Sequence, residues 1–413
     1  MKKGAAIFWS RAGRVMLAMV ATLTAGDLFG EARFTIPEFA PGVAYTNYQN
    51  RSVPWSIHVA RASRASGDLE IRSVHARGKA LGLSRLSDMI KSVPADQGRP
   101  VFGLNGDFYV RERSYAGDPR GLQIVDGSLL SRPIGGAGFW VDTNGTPNLA
   151  NVQAEFEVQW PDGSKSPFGI NEERIGNSVV LYTPDIGRST QTIGGVEFLL
   201  ERAGEGPWLP LLAGVPYRAR VSEIRPGGNS EVPSGKMVLS LGGNTARALV
   251  SIKKGAEILF STATSPTLAG VKTAIGGGPI LLRRGQKERM PDSAGRGGYE
   301  FRSMTERHPR SAVGWNEHHF FLVEVDGRQE LSAGMTLSEL SDFMLRLGCT
   351  DAMNLDGGGS ATFWCDGKVR NSPCDNRERE IANAVLLVRR EVSARKGPPL
   401  DRIAEPVGRA VKQ

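Results

Sequence analysis

The sequence predicts an α+β protein: a curved, mostly antiparallel sheet with packed helices and a β-rich insertion. Three observations predict it. Several segments alternate apolar and polar residues, as half-buried strands do. Two others repeat apolar residues at helical spacing. Glycine is abundant, 51 of 413 residues, which favours a turn-rich chain of many strands over a helical bundle. The composition, 40% hydrophobic and 23% charged, is that of a globular protein. The length suffices for one large domain or two to three ordinary ones.

The chain opens on Lys2, Lys3, Arg11 and Arg14, then an apolar run from Val15 to Ala25. That run has the length of a signal h-region and is short for a bilayer span. Residues 1–32 therefore read as a signal peptide cleaved after Ala32, with Ala25 as a second cleavage point and an uncleaved anchor as the alternative. Export to the periplasm or the extracellular space is the expectation. No later stretch is apolar enough for a membrane helix. Removing the leader lowers the formal net charge from +8 to +6. This modest excess can draw in an anionic substrate. No helix-turn-helix, zinc-finger or RNA-binding signature is present, so nucleic acid is not expected as a partner.

After the leader, "FTIPEFAPGVAYTNYQN", "PWSIHVARAS" and "DLEIRSVHAR" read as strands. "LSRLSDMIKSV" places Leu83, Leu86, Met89, Ile90 and Val93 on one helical face. "RPVFGLNGDFY" reads as a buried strand ending in a loop. "DPRGLQIVDGSLL" is hairpin-like around Asp126 and Gly127. Residues from about 145 to 265 are polar and strand-like and read as the insertion. "HHFFLVEVDGRQ" gives another strand and turn. In "GMTLSELSDFMLRLG", Thr336 and Glu339 form a capping box and Gly348 supplies the stop. "CTDAMNL" is a short buried strand running into "DGGGS". Residues 33–392 thus read as a single domain, and the Pro-rich basic end, 393–413, as a flexible tail.

The segments "LSRLSDMI" and "LSELSDFM" echo each other, and each precedes a strand ending in Asn-x-Asp: Asn105 with Asp107, and Asn354 with Asp356. Extended backbone puts residues i and i+2 on one face, so each pair is expected to present an amide and a carboxylate together. Two glycine runs, Gly276 to Gly278 and Gly357 to Gly359, either make tight bends or leave N–H groups open to an oxyanion. "GGGSAT" lacks the Gly-Lys-Ser/Thr ending of a Walker loop. "RHPRSAVGW" gathers Arg307, His308 and Arg310. Arginine can clamp a phosphate and His308 can donate a proton near neutral pH. His318 and His319 point to opposite faces of a strand, which argues against shared metal binding. No G-x-S-x-G, H-E-x-x-H or paired C-x-x-C motif is present, which argues against serine hydrolases and zinc peptidases. Cys365 and Cys374 flank a short polar loop, where an exported protein can form a local disulfide; Cys349 reads as a buried thiol.

"LNGDFY", "DPRGLQIVDG", "AIGGGPILLRRG", "HPRSAVG", "VDGRQELSAGMTLSELSDFMLRLGCTDAMNLDGGGSATFW" and "ANAVLLV", in this order, resemble the phosphodiester glycosidase family. Many bacterial relatives carry exopolysaccharide-biosynthesis labels. The resemblance implies an exported glycosidase that cuts a sugar-1-phosphodiester into free sugar and phosphomonoester, with a phosphodiester-linked glycan as its partner. The residues matching the family motifs are Asn105, Asp107, Gly276, Gly277, Gly278, Arg310, Arg328, Asn354, Asp356, Gly357, Gly358, Gly359 and Ser360. His308 is added from its neighbourhood. Ser311 and Ala361 depart mildly from the family pattern. A non-catalytic saccharide-binding or scaffold protein is the alternative.

Glycoside cleavage develops positive charge on the sugar, which carboxylates stabilise or attack. Asp356 is the expected nucleophile or base, Asp107 its partner, and Arg310 the phosphate clamp. Arg328, His308, the asparagines and the glycine runs are expected to bind substrate. The sequence demands no cofactor; Ca²⁺ or Mg²⁺ is compatible with its carboxylates and carbonyls.

Overall fold

The computed structural model describes residues 36–111, 114–290 and 301–390. The expected signal peptide and the C-terminal tail lie outside these residues. Three antiparallel-dominated sheets organise the rest. The fold is mostly β and includes a nearly closed, barrel-like sheet. This corrects the α+β expectation. Among the described residues four α-helices occur, and the longest, Leu337–Arg346, has 10 residues.

The reason is visible at the first amphipathic segment. Helical spacing runs from Leu83 to Val93, but only Leu86–Lys91 is helical. Upstream, Ser84 exchanges backbone hydrogen bonds with Ile381, so tertiary pairing takes the residues that would have made the first turn. The second segment keeps its length because its ends are encoded locally. Thr336 Oγ1 accepts from Glu339 N at 3.1 Å, and Glu339 Oε2 accepts from Thr336 N at 2.9 Å. These reciprocal bonds satisfy two N-terminal donors.

The five-stranded sheet runs Lys368–Val369, Phe363–Cys365, Arg99–Asn105, Asn383–Arg389, Leu69–His75. Leu86, Met89 and Ile90 of the short helix bury against it. The eight-stranded sheet contains, in order at its centre, Trp55–Ser63, His319–Val325, Arg310–Trp315, Asp351–Asn354 and Ile280–Arg283. Leu337, Leu340, Phe343 and Met344 bury the long helix beside it. The twelve-stranded sheet spans Gln123–Val125 to Thr273–Gly277 in sequence and carries a large aromatic core, with Phe156, Phe168, Phe198 and Phe260. Its hairpin at Asp126 and Gly127 has φ of 49° and 81°, as the Asp-Gly pair requires.

The two echoing strands meet end to end. Asp356 N donates to Gly106 O at 2.9 Å, and Asn105 Nδ2 donates to Asp356 O at 2.7 Å. Asn105 Oδ1 also accepts from Ser311 Oγ and from Thr362 N. One buried amide therefore ties three segments. Asn105→Ala is expected to cost about 3 kcal/mol, because it strands several buried polar groups at once. Urea unfolding of the two proteins measures it.

Cys349, Cys365 and Cys374 are all free thiols. The expected Cys365–Cys374 bridge is not formed; Cys365 is buried in its strand and Cys374 sits part-exposed beside Asp375. Among the described residues no helix is long and apolar enough to cross a membrane.

Candidate active site

Both Asn-x-Asp strands stop at the asparagine, and the aspartates that follow face a cavity. A first cavity of about 310 Å³ is lined by Asp107, Asp356, Ser360 and Gly277, with Arg111, Arg120 and Arg379 around them. A second, of about 390 Å³, is lined by Gly278, Asn354, Asp356 and Gly357 to Gly359, with His308, Arg310 and Arg328. Asp356, Phe108, Ser303 and Arg379 border both. Asn105 and Gly276 border neither. The expectation that each pair shows its amide and carboxylate together therefore fails for Asn105, which is fully buried. Asn105 instead spends its amide on Asp356 O, Ser311 Oγ and Thr362 N.

Asp107 is 3% exposed. Its Oδ1 accepts from Phe108 N at 2.8 Å, and its own N–H donates to Asn383 Oδ1 at 2.7 Å. Among the described residues Oδ2 has no hydrogen-bond partner. It packs on bare backbone: a Cβ placed on Gly276 would lie 2.3 Å from Oδ2. Gly276 is thus required for room, not for substrate contact. Burial pushes the Asp107 carboxyl up to about 8, against the Phe108 N–H, and the charge of Asp356 pushes the same way.

Asp356 Oδ1 accepts from Gly357 N at 2.8 Å. Burial raises this carboxyl to about 6, held back by the Ser360 side chain, the Gly357 N–H, Arg379 and Arg120. The two acids therefore differ in character at neutral pH: Asp107 holds its proton and Asp356 largely does not. Environments that push neighbouring carboxyls apart in this way assign acid and base roles.

The glycine N–H groups were expected to cradle an oxyanion. Most are already spent: Gly357 N–H on Asp356, Gly358 N–H on Pro309 O, Gly276 N–H on Leu122 O and Gly278 N–H on Asn354 O. The second run exists for close approach. A Cβ on Gly359 would lie 1.8 Å from Arg379 Nη2. Asn354 Nδ2 donates to Gly278 O at 2.8 Å and so pins one run to the other.

Arg310 is 5% exposed. Its Nε donates to Met335 O at 2.8 Å, and its Nη2 donates to Ser303 O and Glu306 O. Part of this guanidinium thus organises backbone. No carboxylate pairs with it among the described residues, and burial with nearby Arg328 lowers it to about 10. Its charge is under-compensated, which favours an anion nearby. Arg328, at φ 59° in the Asp-Gly turn, reaches His308 Nδ1 through Nη2 at 3.2 Å. Burial, Arg310 and Arg328 lower the His308 pKa. This disfavours the protonated His308 that the sequence reading offered as a proton donor. Arg307 turns away to pair with Glu339.

Arg111, Arg120 and Arg379 escaped the sequence reading. Arg379 pairs with Asp375 at 2.6 Å, whereas Arg111 and Arg120 have no carboxylate partner among the described residues. "DNRERE" looks like a solvated charge run; the one local hint was Gly359, whose missing side chain leaves space for a guanidinium.

The fold and site define a pair of buried carboxyls in a cleft lined by arginines. Residues 215–388 match the phosphodiester glycosidase family model, so the resemblance in the motifs holds over that stretch. The match includes Arg310 and Asp356 and begins after Asp107. N-acetylglucosamine-1-phosphodiester alpha-N-acetylglucosaminidase of Bos taurus is 34% identical over 110 residues, 26% of this chain and 20% of that protein. The Homo sapiens protein of the same name is 31% identical over 26% of this chain and 21% of its own length. The SPbeta prophage-derived uncharacterized protein YomE of Bacillus subtilis is 34% identical over 20% of this chain and 13% of its own length. The chain thus matches about a fifth or less of each of these relatives. Among solved structures, a hypothetical protein from Synechocystis superposes with TM-score 0.67 at 18% identity, covering 85% of this chain and 63% of that one. A candidate exported protein of Burkholderia pseudomallei gives 0.61 at 20% identity, covering 81% and 74%. These two share the fold.

Proposed function

We propose that the chain is an exported phosphodiester glycosidase, releasing free sugar and a phosphomonoester from a sugar-1-phosphodiester. The observation that carries this reading is the pair Asp107 and Asp356, buried in one cavity with carboxyls raised to about 8 and about 6. Protonated Asp107 donates a hydrogen bond to the departing phosphate oxygen. Ionised Asp356 attacks the sugar carbon or activates water there. The phosphate leaves as an anion, so electrostatic clamping by Arg310, Arg328 and the first-cavity arginines carries much of the stabilisation. Relatives named N-acetylglucosamine-1-phosphodiester alpha-N-acetylglucosaminidase support an N-acetylated amino-sugar 1-phosphodiester as the first substrate to try. A role in envelope or exopolysaccharide metabolism, and export itself, follow from the sequence reading of the leader and motifs.

Hydrolysis of such a diester in ¹⁸O-water tests the reading. Label is expected in the sugar and not in the phosphate. Label in phosphate assigns the cut to the phosphorus–oxygen bond, and binding without turnover assigns the chain to saccharide binding instead.

A further inference from the structure

A second polar cluster lies away from the cavity lining, in the core between strands Trp55–Ser63 and His319–Val325. His58 and Glu324 are register partners on these strands, and Asp326 follows directly after the second. All three are buried. One ligand-type atom from each lies within 4.8 Å of the others, and His58 Nε2 is 3.5 Å from Asp326 Oδ2.

Outer partners hold each group from behind. Tyr45 Oη sits 2.9 Å from His58 Nδ1. Asn371 Nδ2 donates to Glu324 Oε1 at 3.1 Å. Ser56 Oγ donates to Asp326 Oδ2 at 2.9 Å, and Ser372 N donates to Oδ1 at 2.7 Å. Glu324 Oε2 is left buried with no hydrogen-bond partner among the described residues.

We infer that His58, Glu324 and Asp326 bind a structural divalent metal ion, zinc or manganese. Three features point there. First, a buried oxygen without a partner costs about 1–3 kcal/mol unless something satisfies it. Second, one imidazole with two carboxylates suits zinc or manganese, whereas Ca²⁺ and Mg²⁺ take all-oxygen sites. Third, the outer hydrogen bonds match the supporting shell that metal ligands carry: Nδ1 engaged by Tyr45 leaves Nε2 facing inward. The ion also pins the turn that carries Arg328 into the second cavity, two residues beyond Asp326. The inference does not depend on the reaction proposed above.

The full chain, purified without chelator, is analysed for metal by mass spectrometry. It is expected to hold about one zinc or manganese per molecule. After chelator stripping, resupplied Zn²⁺ or Mn²⁺ is expected to raise Tm by at least about 4 °C, while Ca²⁺ and Mg²⁺ do not. Glu324→Gln is expected to lose both retained metal and the shift. A folded wild-type chain with less than about 0.1 metal per molecule and no shift with any of the four ions overturns the site. So does a Glu324→Gln protein that keeps the wild-type shift. If that variant does not fold, His58→Gln read in the same way decides.

Discussion

Asp356→Asn is expected to lower kcat at least about 10³-fold on a sugar-1-phosphodiester while the protein stays folded. The amide oxygen still accepts the Gly357 N–H that now bonds Asp356 Oδ1. The Asn105 and Gly106 bonds go to the Asp356 backbone and are untouched. What is lost is the negative charge that the proposed reaction sets against the sugar carbon. Kinetics with circular dichroism and Tm measure both halves. Full activity in a folded variant would remove Asp356 from the mechanism.

The second large effect is at Asp107, and it appears in two pH dependences. For activity, Asp356 must be ionised and Asp107 protonated. kcat/KM is expected to rise through pH about 6 and fall above about 8. Asp107→Asn is expected to lower kcat about 10²-fold and remove the alkaline limb. For stability, the folded chain binds the Asp107 proton more tightly than the unfolded chain does. The resulting stabilisation is full below the ordinary carboxyl pKa, declines as pH rises, and is gone above about 8. Asn imitates the protonated acid at every pH. The variant's Tm is therefore expected to exceed that of the wild type at pH 9, with the gap shrinking by pH 6. Equal Tm profiles across that range would show that Asp107 pays no ionisation penalty in the fold.

The site was more legible than the fold. Asp107, Asp356 and the glycine runs stood out because carboxylates beside glycine are locally unusual. The strands themselves were readable from alternation at Trp55–Ser63 and Leu69–His75, and from a continuous apolar run at Arg99–Asn105. The fold class was misread because Leu83 to Val93 has helical periodicity that backbone pairing at Ser84 cuts short. Periodicity registers a buried face; it does not register which partner claims the backbone. The same limit hid Arg111, Arg120 and Arg379, whose role depends on which distant segments fold beside them. It also misassigned the glycine N–H groups, since their partners, Pro309 and Leu122, are remote in sequence. One missed signal was local. Glu324 is a charged residue at an inward position of the strand "HFFLVEV", with Asp326 two residues on.

The bonds that join the ends of strands Arg99–Asn105 and Asp351–Asn354 act as a ruler between the two acids. In glycosidases that spacing decides whether anomeric configuration is retained or inverted. The rim facing them comes partly from elsewhere, at Ile134 and Ala137 of the largest sheet. On the proposed reaction, drift in that outlying layer would retune which sugar enters, while stereochemical outcome would stay anchored in the short braced junction beneath.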